Sequence, residues 1–231
     1  GLVAVFYRLH YKFQHWRYHK KAAATPLQPL YQQPLIPPSQ LFLATRFLVI
    51  DCEMSGLDAK KSQLLSIGWV MIEHGRIVNA SARHLLIHAD RGAGDSSKIH
   101  GLLNSSLAGA NSPAAVLMLL MKQIPGAVLV FHHASMDMRF LQKATLDNFR
   151  CPLLFSYVDT MAIEKKRMHL QGKAISLRLA KCRERYGLPA GSQHNALADA
   201  LATAELFLAQ ASYLGKQENL SLSGLALSCS H

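Results

Sequence analysis

The stretch "RFLVID", Arg46 to Asp51, constrains the fold of this chain more than any other. It is a short, unbroken apolar run with β-branched residues, so it reads as a buried strand. Its end is unusual, because Asp51 and Glu53 stand two residues apart in a chain with 14 acids against 25 Lys and Arg. Side chains at i and i+2 of a strand share a face, so both carboxylates project together beyond the sheet edge and repel each other. A divalent cation removes that cost, and carboxylate oxygen is the ligand that Mg²⁺ or Mn²⁺ prefers. Taken alone, the pair also reads as a solvated acidic turn.

The remaining elements surround that strand. "LLSIGWVMIEHGRIVNASARHLLIH" reads as a hairpin turning at His74-Gly75. A helix, "AAVLMLLMKQI", fits between Ser112-Pro113 and Pro125, and "AVLVFHH" returns to strand. "PLLFSYVDT" is a further strand-like piece, followed by a basic helix around Ser176 to Arg185. The last long helix begins after Asn195, a capping residue, with Leu197, Leu201, Ala204, Leu208 and Ala211 on one stripe. A meander of strands followed by strands alternating with helices predicts an α/β fold, a mixed sheet with helices packed on it.

Three parts are expected along the chain. Residues 1–40 form an N-terminal basic extension, an aromatic arm followed by the proline-rich "TPLQPLYQQPLIPPSQ"; residues 41–215 form the compact domain; residues 216–231 form a loosely ordered tail. The 231 residues, half of them hydrophobic, suffice for one catalytic-sized domain. The longest apolar run, Ala114 to Met121, is far short of a transmembrane segment, and the start has its apolar residues before its basic ones, the reverse of a secretory signal. Four cysteines without CxxC spacing predict a reducing, cytoplasmic setting. The net charge of +11, with no acid before Asp51, implies a polyanionic partner: nucleic acid, an anionic membrane surface or acidic protein.

Two more stretches repeat the pattern of a carboxylate at an element boundary. "VFHHASMDMRFL" places Asp137 at the start of a helix, and "HNALADALATAELF" places His194 just ahead of a helix with Asp199 in its first turn. Each acid singly suits a helix N-terminus, where it complements the dipole. That reading leaves unexplained why the three acidic stretches occur in this order and context.

With these motifs the chain resembles the DEDDh exonucleases, which include the proofreading epsilon subunit of bacterial DNA polymerase III, ribonuclease T and oligoribonuclease-like relatives. The resemblance covers about residues 47–214: "DCEMSGLD" matches the first motif, "HHASMD" the second and "HNALAD" the third, with "IHGL", "DT" and "RYGLP" as secondary marks. It implies a ribonuclease H-like fold, a mixed five-stranded sheet flanked by helices. It also implies a metal-dependent 3′-to-5′ exonuclease that removes nucleoside 5′-monophosphates from single-stranded DNA ends with two Mg²⁺ or Mn²⁺ ions. Asp51, Glu53, Asp137 and Asp199 are then the metal ligands, and His194 the base that takes the proton from water.

Further site residues follow from the resemblance. Met54 and Leu57 are candidate contacts for the terminal base or sugar, and His100 matches a position that lines the terminal-nucleotide pocket. The implied partners are single-stranded nucleic acid with a free 3′ end and a DNA polymerase subunit. An RNA-trimming 3′ exonuclease is the alternative within the class, and a nucleic-acid-binding, polymerase-associated module the alternative outside it; retention of all five catalytic positions argues against the latter. In the second motif His133 stands for the usual asparagine and Met136 for phenylalanine. His132 and His133 together raise a transition-metal reading, with satisfied strand-end histidines preferred. The basic run from Lys165 to Arg185 reads as a solvated face or a phosphate track. The arm, with Arg8, Lys12, Arg17, Lys20 and Lys21 among aromatic residues, suits packing on the domain, single-stranded nucleic acid or anionic lipid.

Overall fold

The computed structural model describes residues 1–88, 111–172, 174–191 and 194–231. At its centre β1 (Arg46–Met54) has Phe47, Leu48, Val49 and Ile50 fully buried, as an unbroken apolar run requires when both faces of a sheet are covered. On one side β1 pairs antiparallel with β2 (Leu64–Glu73), which pairs antiparallel with β3 (Arg76–Leu86). The hairpin turns at His74 and Gly75, both left-handed at φ 52° and 73°, the backbone that matches the twist of adjoining strands. On the other side β1 pairs parallel with β4 (Ala127–Phe131), and β4 parallel with β5 (Ser156–Asp159).

The sheet has six strands, in the order β3-β2-β1-β4-β5-β6, one more than expected. The sixth, β6 (Ser228–Cys229), pairs antiparallel with β5 and comes from the tail that was expected to be loosely ordered. Leu222, Leu225, Leu227 and Cys229 are all buried, and the Ser230 hydroxyl accepts from the Phe155 amide. These apolar residues are spaced two or three apart among Ser, Gly and Ala, so neither helical nor strand periodicity marked them.

Helices cover both faces. They are α1 (Leu2–Ala22), α2 (Gln28–Gln32), α3 (Pro113–Gln123), α4 (Ala134–Phe149), α5 (Thr160–Leu170), α6 (Leu179–Arg185) and α7 (Ala196–Leu214). Within the proline-rich linker α2 forms because Pro29 lies in its first turn, where the missing amide has no helical partner to lose. The arm packs on the domain by one face: Tyr7 and Tyr11 are buried, and Tyr31 donates to the Pro152 carbonyl. Along α7 the buried line runs through Ala196, Ala200, Ala204, Phe207 and Ala211, while Leu197, Leu201 and Leu208 of the expected stripe are only half-buried. Near Gly68 small residues face the sheet because the helix approaches it closely there; Leu201 and Leu208 pack partly buried against the core, and Leu206 and Phe207 farther along are fully buried. No helix among the described residues is long and apolar enough to cross a membrane.

Parallel pairing of β1, β4 and β5 points their carboxyl ends the same way, and α4 and α5 start from the ends of β4 and β5. In open α/β sheets that rim is where ligands bind.

Candidate active site

β1 delivers the first pair of acids to this rim. Asp51 lies opposite Gly68 of β2, and Glu53 lies opposite Ser66. Gly68 is also where α7 crosses: a Cβ there would overlap the carbonyl of Ala196 and the amide nitrogen of Leu197. The bare backbone at Gly68 therefore lets the first turn of α7, which holds Asp199, settle beside Asp51. Asn195 caps that turn, its side-chain oxygen accepting from the Ala198 amide at 2.8 Å. His194 is exposed just before the cap, near enough to Asp199 for its charge to favour the ionised carboxylate.

Asp137 arrives on the first turn of α4 and is 4% exposed. Its helix is fixed by Asp159 at the end of β5. One carboxylate oxygen of Asp159 accepts from the His133 amide and the other from the Ala134 amide, both at 3.0 Å. The first oxygen also accepts from Met161 at 2.9 Å, so one side chain caps α5 and holds the start of α4. His133 occupies a left-handed conformation, φ 72° and ψ 61°. Asparagine and histidine both enter that region more readily than most residues, which accounts for the departure from the usual motif.

Burial and neighbouring carboxylates raise the proton affinity of Asp51, Asp137 and Asp199. Burial pushes the Asp51 carboxyl up to about 8, with Asp199 and Glu53 adding repulsion. Burial holds Asp137 well above the usual carboxylate range, reinforced by Asp51, Asp159 and Asp199. Asp199 is raised by burial and by Glu53, against the opposing pull of His194. Glu53 Oε1 and Asp137 Oδ2 are buried with no hydrogen-bond partner. Unpaired buried carboxylate oxygens beside like charges are costly, and a hard divalent cation is the partner such oxygens suit. Among the described residues no three His, Cys, Asp or Glu side chains already form a metal cage. The acids are thus linked through charge.

Other predicted residues separate clearly. Met54 ends β1 and is partly buried against the core, while Leu57, in the turn beyond, is 77% exposed. His100 lies outside the described residues. His132 is a satisfied structural histidine: Nδ1 meets the Thr160 hydroxyl and Nε2 the Leu177 carbonyl, both at 2.7 Å, and burial favours its neutral form. The basic run is not a uniform phosphate track. Arg183 binds the Ala202 and Pro189 carbonyls, Arg185 pairs with fully buried Glu164 at 3.0 Å, and Arg167 lies over the rings of Tyr186 and Tyr213. These contacts lock α5, α6 and the segment before His194 to α7.

A model of an exonuclease family, RNase T, matches residues 48–207, a range that encloses all five motif residues. The chain belongs to the RNase T exonuclease family. Among relatives of this exonuclease, the PolC-type DNA polymerase III of Thermotoga maritima is 32% identical over 163 residues, 70% of this chain but 12% of that protein. The epsilon-like protein of Rhodobacter capsulatus is 32% identical over 169 residues, covering 70% of this chain and 23% of that one. The DNA polymerase III epsilon subunit of Aquifex aeolicus is 28% identical over 167 residues, 70% of this chain and 78% of its own.

Solved structures share the exonuclease fold. The zinc-bound form of the E. coli ExoI-ssDNA complex superposes with a TM-score of 0.59 at 15% identity, covering 73% of this chain and 41% of that one. Cell-death related nuclease 4 gives 0.58 at 17% identity, covering 77% and 67%.

Sequence reasoning passed over Gly68 and the clamping role of Asp159. An interior glycine in the strand "LLSIGWVMIE" was the available signal, since glycine there marks a close backbone approach.

Proposed function

We propose that this exonuclease domain is metal-dependent and works 3′ to 5′, releasing nucleoside 5′-monophosphates from single-stranded DNA ends. The observation that carries the reading is the mutual repulsion among Asp51, Glu53, Asp137 and Asp199, from β1, α4 and α7, with two buried carboxylate oxygens unpaired. Asp51, Glu53 and Asp199 would hold one Mg²⁺ or Mn²⁺, and Asp51 with Asp137 a second. When bound, the ions supply charge stabilisation to an in-line displacement at phosphorus.

The chain's own residues do the rest. His194 accepts a proton from the attacking water, whose oxygen bonds to phosphorus as the bond to the upstream 3′ oxygen breaks; that oxygen leaves with a proton from solvent. Asp199, beside His194, steadies the imidazolium that results. Exposed Leu57, with partly buried Met54 at the end of β1, offers an apolar surface to the terminal base or sugar. The names of the relatives support single-stranded DNA as substrate and a DNA polymerase subunit as partner.

The test is digestion of 5′-labelled single-stranded DNA and RNA of one sequence, with Mg²⁺ and with Mn²⁺. A ladder that shortens from the 3′ end, blocked by a 3′-phosphate, is expected. Cutting of a closed circular strand would refute exonuclease polarity, and preferential turnover of the RNA would reassign the substrate.

A further inference from the structure

Helix α1 has two apolar faces, and only one is used. Tyr7 and Tyr11 anchor the inner face: the Tyr7 hydroxyl donates to the Ile36 carbonyl at 2.9 Å and meets the Ser156 hydroxyl at 2.6 Å, and Tyr11 donates to Gln33. The opposite face carries Leu2, Val5, Phe6, Leu9, Phe13 and Trp16, between 49% and 73% exposed. At 100° per residue these six fall within one continuous stripe. The helix is about 30 Å long at 1.5 Å per residue, so the exposed stripe runs most of the width of a small domain. An apolar patch of that extent on a folded domain marks an interaction surface.

Charge indicates the occupant. Arg8 and Lys12 border the stripe on one edge, Arg17 and Lys21 on the other, and α1 contains no acid. The spacing Leu2, Phe6, Leu9, Phe13, Trp16 would also suit a pair of helices, but a second copy would bring only like charges to the flanks. Single-stranded nucleic acid would match the charge, yet Leu2, Val5 and Leu9 offer no ring on which a base can stack. A straight apolar stripe between basic edges, with tryptophan and phenylalanine in it, is the surface of a helix lying in the headgroup layer of an anionic bilayer. We infer that α1 docks this exonuclease onto anionic lipid surfaces. The attachment leaves the active site open: Ser156 begins β5, whereas the acids gather at the carboxyl rim of the parallel strands.

The chain carries its own reporter, since Trp16 is 70% exposed and the only other tryptophan, Trp69, is 3% exposed. The protein is mixed with vesicles of phosphatidylcholine alone, or of phosphatidylcholine and phosphatidylglycerol in equal parts. Its tryptophan emission and quenching by iodide are then read. The anionic vesicles should shift emission to the blue and shield Trp16, less so at high salt; phosphatidylcholine alone should do neither. Replacing Phe6, Leu9 and Phe13 together by serine should leave the melting temperature unchanged and weaken vesicle affinity at least about tenfold. Unchanged emission and quenching of the natural chain with anionic vesicles would overturn the inference, whatever the variant does. A dimer without lipid that this variant abolishes would give the stripe to a second copy. Shielding of Trp16 by single-stranded DNA but not by vesicles would give it to nucleic acid.

Discussion

Gly68 of β2 lies directly against the peptide joining Ala196 to Leu197, leaving no room for a methyl group between strand and helix. Because Gly68 also pairs with Asp51, this one contact sets how far Asp199 stands from Asp51. Gly68→Ala should therefore displace the start of α7. A loss of about 1–3 kcal/mol is expected from overpacking against backbone that cannot rotate away. Activity should fall further than stability, and comparing thermal melting with kcat/KM on a single-stranded substrate checks it. A destabilised variant with full activity at low temperature would show that this approach does not position the acids.

Asp159 makes no proposed contact with substrate, yet it binds three amides at the starts of α4 and α5. Asp159→Ala should cost about 1–3 kcal/mol, the range for a lost cap that leaves part-buried amides without their acceptor. It should also lower kcat, because α4 carries Asp137. Denaturant unfolding and steady-state kinetics on the same samples separate the two effects. An unaltered kcat would limit Asp159 to stability alone.

The pH dependence of stability follows from the acids. Asp51 has a folded-state pKa of about 8 against 3.8 for the ordinary side chain. The folded chain therefore holds a proton that the unfolded chain releases. Stability from this group is complete below the ordinary value and is lost as pH rises through the raised one. In EDTA the melting temperature should fall between about pH 4 and pH 8, and Asp51→Asn should flatten the decline. Added Mg²⁺ should raise melting most at the alkaline end. A melting curve in EDTA that rises over this window would contradict the electrostatic account.

Much of this arrangement was legible in the sequence because it rests on local patterns. The run "RFLVID", the His74-Gly75 turn and the Asn195 cap each follow from their own neighbours. The three acidic motifs likewise sit where strands end and helices begin. What escaped was set by contacts far apart in the chain. β6 exists because Ser228 and Cys229 find an open edge on β5, and Arg183 is internal because α7 supplies Ala202 and Glu205. Of the stripe expected on α7, Ala204 and Ala211 are buried, whereas Leu197, Leu201 and Leu208 are only half-buried and the close approach at Gly68 falls on Ala196.

His194 stands exposed beside Asp199 with no carbonyl or carboxylate holding its ring in the described contacts. A histidine base works only when neutral, so the rate should fall on acidification. His194→Ala should lower kcat by about 10²–10⁴, the usual contribution of such a base, and remove that limb from the profile. A variant that keeps the limb would assign the proton to another group.

We propose that carboxylates from separate elements form one metal-dependent hydrolytic site, with Asp51, opposite Gly68 and repelled by Asp199 and Glu53, as its hub. The most direct measurement is the single-turnover rate on single-stranded DNA in Mg²⁺ for the natural chain and for Asp51→Asn, which keeps size and removes charge. A folded variant is expected, at least as stable in EDTA at pH 8, with a rate lower by about 10³ or more. A folded Asp51→Asn chain that hydrolyses at the natural rate, or a natural chain fully active in EDTA, would contradict the proposal.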